Sequence, residues 1–195
     1  MRVSSKQQVQ NVEWFKKALL QWAQQYQEIV WLDSNTHREK YSGYDAVLAV
    51  DAFTAVKTEA KGAFDALREY QQITTDWIFG YLSYDLKNDV EDLSSENHDG
   101  LEFPELYFFQ PKKLFLLKGN EVEMLYLRLV DDELEEDFED IQHLISLKND
   151  ATPKVPEIKL QPRICKEDYL KKVEQMLGHI QRGDIYEANF CQEFF

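Results

Sequence analysis

Cysteine, glycine and basic residues are all scarce in this sequence, and each shortage closes off a class of protein. Two cysteines in 195 residues, Cys165 and Cys191, make neither a disulfide framework nor a metal-ligand spacing. Seven glycines are scattered, and none builds a glycine-rich phosphate loop. The four histidines, His37, His98, His143 and His179, are dispersed without the spacing of a zinc site. No apolar run reaches the roughly 18 residues of a membrane span, and residues 1–10 are too polar for a signal peptide. Only 22 Lys and Arg stand against 36 Asp and Glu, for a formal net charge of −14. A chain of that sign repels phosphate backbones and anionic bilayers, which argues against nucleic acid and membranes as partners. The expectation is a soluble, cytoplasmic globular protein.

What is present is a foldable core. The chain is 44% hydrophobic and holds 12 Phe, 10 Tyr and 4 Trp, too many for a disordered segment. Val12, Phe15, Leu19, Trp22 and Tyr26 recur at steps of three and four and predict a helix over 7–26. Residues 29–32 and 44–50 read as apolar strands, and 57–72 as a helix with Ala60, Phe64 and Leu67 on one face. Residues 77–84 (WIFGYLSY) read as a strand in which Gly80 marks a bulge or a close backbone approach. Strands follow at 106–109, 113–118 and 122–129, joined by a turn at Gln110-Pro111-Lys112 and a hairpin connection at Gly119-Asn120. An acidic amphipathic helix spans 131–147, with Leu134, Phe138, Ile141 and Ile145 inward. A proline-bearing linker covers 148–162. The last helix, 166–182, is stopped by Gly183, and Asp184 begins a final strand. Irregular alternation with hairpins predicts an α+β fold.

No catalytic signature emerges from spacing alone. The run DDELEEDFED (131–140) places its acids on the solvent face of its helix and in the first turn, where the dipole favours them. Eight carboxylates between Asp85 and Glu105 lack the order of a calcium loop and read as a flexible acidic loop or a protein interface. Two polar clusters remain beside apolar strands: Asp33-Ser34 with Tyr41-Ser42-Gly43-Tyr44, and Tyr186 with Asn189. Alternation sets Tyr186 and Asn189 on opposite faces, and an Asn in such a strand is expected to pair as a core amide. Cys191, on the same strand, is expected to be a small buried hydrophobe. The aromatic pair Phe194-Phe195 reads as a cut inside a strand.

With those residues in hand, a resemblance appears. GDIYEANFCQEF (183–194), after the helix YLKKVEQMLGHIQR, closely resembles the opening motif of the chorismate-binding domain of component I enzymes, the anthranilate and aminodeoxychorismate synthases. WIFGYLSYDLKNDVE (77–91) looks like the family's N-terminal motif, PELYFFQPKKLFLL (104–117) like the strands that follow, and IVWLDSN (29–35) like its first strand and regulatory loop. Tyr186 and Asn189 resemble the aminodeoxychorismate branch, since anthranilate synthases usually carry a hydrophobic residue at the position of Asn189. Asp33 in WLDS likewise departs from their usual LLES.

The resemblance implies an N-terminal domain over 1–150, a linker over 151–162 and the start of the chorismate-binding domain over 163–195. It implies two antiparallel sheets packed face to face with flanking helices. The implied activity is amination of chorismate by ammonia from a separate glutamine amidotransferase subunit, giving 4-amino-4-deoxychorismate for folate synthesis. Mg²⁺ would act there as a Lewis acid. The family's metal ligands, general acid and lysine nucleophile have no counterparts here, so this segment alone is expected to be inactive. Some members hold L-tryptophan in an N-terminal pocket, which maps to Ser34 and to Tyr41, Ser42, Gly43 and Tyr44, with Tyr186 and Asn189 as further pocket or structural positions. The rivals are an anthranilate synthase component I and a non-enzymatic acidic binding or docking module.

Overall fold

A computed structural model describes residues 1–35, 37, 43–94, 98–147 and 158–195. The chain divides into two compact units, Met1–Asn149 and Asp150–Phe195. The first unit runs β1 (Arg2–Gln8), α1 (Val12–Ala23), β2 (Ile29–Asp33), β3 (Ala46–Thr58), α2 (Ala63–Thr74), β4 (Phe79–Leu82), β5 (Leu106–Lys118), β6 (Glu121–Leu127) and α3 (Leu134–Ser146). The second unit carries α4 (Lys166–Arg182). Helices with an antiparallel sheet make an α+β fold, as the pattern predicts. Among the described residues there is one sheet, ordered β1-β6-β5-β3-β2, with β4 paired to the first half of β5.

The apolar stripes form the core they announce. Phe15, Ala18, Leu19, Trp22 and Ala23 of α1, with Leu134 and Ile141 of α3, pack on Leu48, Val50, Phe115, Leu117, Met124 and Tyr126 of the sheet. Asn11 caps α1 by accepting from the Trp14 amide at 3.0 Å. Gly183 ends α4 at φ 80°, as expected. Gly119 turns the β5–β6 hairpin at φ 55°. A Cβ on Gly80 would lie 1.9 Å from the Tyr107 carbonyl oxygen, so the glycine does mark a close backbone approach.

Several elements depart from the sequence pattern. β1, whose sequence RVSSKQQ shows no apolar face, is a strand because its backbone pairs with β6 from Arg2↔Leu127 to Gln8↔Glu121. Lys6 reinforces it with ion pairs to Glu121 and Glu123. β3 continues past Val50 to Thr58, so α2 begins only at Ala63, with Gly62 capping it at φ 75°.

β5 runs unbroken through Pro111, where a turn is expected. Its far edge is bare there, since β4 pairs with 106–109 and β6 with 113–118, so the missing amide interrupts no ladder. The Arg2 guanidinium fills that gap, donating to the carbonyls of Pro111 (2.6 Å), Lys112 (3.3 Å) and Leu125 (3.0 Å) and pairing with Asp76. Phe109 and Leu114 share a cluster although five positions apart, so the pleat reverses phase across Gln110–Lys112. The reversal brings Leu106 and Phe108, which pack against α2, onto the side that Phe115 and Leu117 present to α1 and α3.

Two further corrections concern charge and the chain's last residues. Asp137, expected on the solvent face of α3, lies buried against Lys113, which is 1% exposed. In the second unit, the expected strand from Asp184 is absent: residues 193–195 pair only with 161–163, through Arg163 N–H to Glu193 and reciprocal Gln161–Phe195 bonds. Without a longer partner strand no ladder forms, and Cys191, expected to be buried, is exposed. The expected linker falls largely on 148–157, outside the described residues, while Gln161 and Pro162 take part in the pairing just described.

Candidate functional site

The first polar cluster lies where β2 ends and the chain returns to β3. β2 pairs with β3 up to Asp33↔Ala46, and the next amide, Ser34, donates to the Asp45 carbonyl at 2.9 Å. The Asp45 amide donates to Leu117 at 2.8 Å, and the Asp45 carboxylate accepts from the Gly119 amide at 2.6 Å. The rim of the cluster is therefore tied to the β5–β6 turn. Asn35 takes a left-handed φ of 49° and donates its amide to Asp33 at 2.8 Å. His37 then folds back, its amide donating to the Ser34 carbonyl at 2.9 Å.

These residues bound a cavity of about 430 Å³ lined by Leu32, Ser34, His37, Tyr44 and Val47, with Asp33, Gly43, Asp45 and Ala46 completing it. Its size falls in the range of about 300–1,000 Å³ typical of small-molecule sites. Strand alternation turns Leu32 and Val47 to one face of the sheet and Asp33 to the other, toward α1. There Asp33 forms an ion pair with Lys16 at 3.1 Å, with both side chains largely buried. Its carboxylate is thus committed to the scaffold. The Ser34 hydroxyl has no hydrogen-bond partner among the described residues. A hydroxyl, an imidazole and a phenol beside apolar walls can hold a small polar molecule with an apolar body. Such a lining suits the binding of a small molecule.

Of the residues singled out from sequence, Ser34, Gly43 and Tyr44 meet at this cavity, while Tyr41 and Ser42 lie outside the described residues. Sequence reasoning missed Leu32, His37, Asp45 and Val47. Asp45 and Val47 were legible in principle, since they lie among the first residues of the expected strand 44–50. Tyr186 and Asn189 belong to the second unit, where Tyr186 is 93% exposed and Asn189 is exposed, not paired as a core amide. Nearby, Tyr169 stacks on Phe190 with centroids 5.1 Å apart. Among the described residues no three His, Cys, Asp or Glu side chains converge to hold a metal ion. No helix there is long and apolar enough to cross a membrane.

A second polar group went unseen in the sequence. Lys113 Nζ donates to Asp137, to Tyr26 Oη at 3.0 Å and to Glu133 at 2.6 Å, while Tyr126 Oη donates to Asp137 at 2.9 Å. The ammonium also lies 5.3–5.6 Å from the rings of Trp22, Tyr26 and Tyr126. Burial alone would lower the Lys113 pKa, but Asp137, Glu133 and Tyr26 outweigh it and hold the group protonated.

Comparison with known proteins now gives the class. The family model described as chorismate binding enzyme matches residues 27–195, and the chain belongs to that family. A curated relative, the anthranilate synthase component I-like protein of Synechocystis sp., is 30% identical over 118 residues, covering 60% of this chain. That match takes in 24% of the relative, so the chain spans about a quarter of its length.

Proposed function

We propose that this chain supplies the N-terminal part of an aminodeoxychorismate synthase component I. That enzyme aminates chorismate with ammonia released by a glutamine amidotransferase subunit, giving 4-amino-4-deoxychorismate for folate synthesis. Membership of the chorismate-binding family carries the reading. The choice of branch rests on Tyr186, Asn189 and Asp33. In this reading Mg²⁺ takes its ligands from outside the described residues, and residues 1–195 alone turn over no chorismate.

The test is product analysis of the full-length protein with chorismate, Mg²⁺ and ammonia. Aminodeoxychorismate is expected; anthranilate as the sole product overturns the branch assignment. One observation favours that second reading, the likeness to the anthranilate synthase component I-like protein of Synechocystis sp..

The cavity at Ser34 supports a ligand role within the same reading, with L-tryptophan as occupant. The amino-acid end would meet the Ser34 hydroxyl and the indole would lie against Leu32, Tyr44 and Val47. Calorimetric titration with L-tryptophan tests it. Ser34→Ala is expected to weaken binding by about tenfold, the worth of one lost hydrogen bond of roughly 1.4 kcal/mol. No heat with the wild-type chain refutes it.

A further inference from the structure

A second cavity in the first unit, of about 600 Å³, opens where the connection from β1 to α1 meets α3. Only Val9, Gln10 and Asn11 join β1 to α1, and this short connection is fixed at both ends. The Val9 amide donates to the Asn120 carbonyl at 2.8 Å and the Val9 side chain is buried. At the other end Asn11 holds the first turn of α1 through the Trp14 amide. Phe138, Gln142 and Ile145 recur at steps of four and three, so α3 turns one face into the cavity. The Phe138 ring stands 6.3 Å from Phe15 and ties that face to the core.

The lining departs from the rest of the sequence. Of a chain that is 30% charged, no ionisable side chain lines this cavity. The carboxamides of Gln8, Gln10, Asn11 and Gln142 supply its polarity. Trp14, Phe138 and Ile145 supply its apolar walls. Gln10 and Gln142 are exposed, and neither carboxamide has a hydrogen-bond partner among the described residues. Lys17 holds its ammonium 4.9 Å over the Trp14 ring, which takes one face of the indole and leaves the other for a ligand.

That chemistry selects a ligand class. Without a counter-charge in the lining, an ion of either sign would lose hydration and gain no partner. A carboxamide presents a donor and an acceptor side by side, and its match is a group with the same pair reversed, as on the edge of a purine. Indole and phenyl walls suit a flat aromatic ring, which stacks on such faces. The volume lies within the roughly 300–1,000 Å³ of small-molecule sites and admits a base with its sugar. A phosphate on that sugar would meet a chain of net charge −14.

We propose that this cavity binds an uncharged purine nucleoside, its base stacked on Trp14 and its edge paired by the carboxamides. The test is equilibrium dialysis of the chain against adenosine, guanosine, AMP and glucose as separate probes. Saturable binding of adenosine or guanosine is expected, with AMP weaker. Gln142→Leu and Trp14→Leu are each expected to weaken nucleoside binding by about tenfold, the worth of one bidentate base contact or one stacked base. Circular dichroism checks that both variants fold, and Gln142→Leu changes only an exposed side chain on a helix. The proposal is overturned if neither nucleoside binds, if AMP binds as tightly as adenosine, or if glucose displaces the nucleoside. It is overturned equally if a folded variant binds the nucleoside as the wild-type chain does.

Discussion

Replacing Lys113 by Met should cost more stability than any exposed substitution in the chain. The change would leave the Asp137 carboxylate buried with the Tyr126 hydroxyl still donating to it. Breaking a buried ion pair from one side typically costs about 3–5 kcal/mol, because the abandoned charge stays desolvated. Asp137→Leu, the mirror change, leaves Lys113 with Tyr26 and with Glu133, whose side chain is 47% exposed, and should cost a similar amount. Removing both charges abolishes the desolvation penalty altogether. The double variant then bears chiefly the orphaned hydroxyls, about 1–3 kcal/mol for a fully buried one. A double-mutant cycle should therefore return a coupling of about 3 kcal/mol or more, well above the roughly 0.3–0.5 kcal/mol scatter of independent sites. Urea unfolding followed by tryptophan fluorescence is the assay, since Trp22 lies 5.6 Å from the ammonium and 5.3 Å from the Phe115 ring. Additive single costs, or a double variant less folded than either single one, would refute the reasoning.

The Arg2–Asp76 pair should show itself in acid. Burial works to raise the Asp76 pKa, but donors on Arg2, Gln110 and the Trp77 backbone overcome it and hold the carboxyl below its ordinary value. A depressed folded pKa stabilises fully at neutral pH, and that contribution is lost as pH falls below about 4 through the folded value. Asp76→Asn should thus be less stable than wild type at pH 7 and approach it in acid; parallel curves down to the acid transition would contradict this. Gly80→Ala would drive a Cβ into the backbone of Tyr107 and Phe108, and should destabilise by about 3 kcal/mol or more. In contrast, Gly178→Ala on α4 meets only the end of Arg182 at 3.9 Å, and should raise helicity by circular dichroism, with about 1 kcal/mol gained in propensity.

The parts of the fold legible in the sequence are those whose burial is one-sided and local. The stripe through Phe15, Leu19 and Trp22 fixes α1 because three-and-four spacing leaves no other face to bury. β1 was not legible: its pairing is a matter of backbone groups, and RVSSKQQ carries no side-chain record of them. Pro111 misled for a related reason, since the harmlessness of a missing amide depends on which edge of β5 lies bare. Asp137 was hidden within an acidic run, although it falls three residues after Leu134 and four before Ile141, on the buried stripe. The Ser34 cavity was half legible. Polar residues at a strand end are visible in sequence, but Leu32 and Val47 become its walls only once the β2–β3 register is set.

The pairing of β1 with β6 bears on how the chain folds as it is made. Residue 2 meets residue 127, so the first strand of the unit waits for its last. At about 5–20 residues per second that delay is roughly 6–25 s. Until then the Arg2 guanidinium has no gap to fill, and β5 stands with one edge open. The composition of β1 suits the delay, because a strand with Val3 as its one apolar residue can stay solvated while it waits. Closure of the sheet is then a late, single event, in which the strand ladder and the Arg2 clamp lock together.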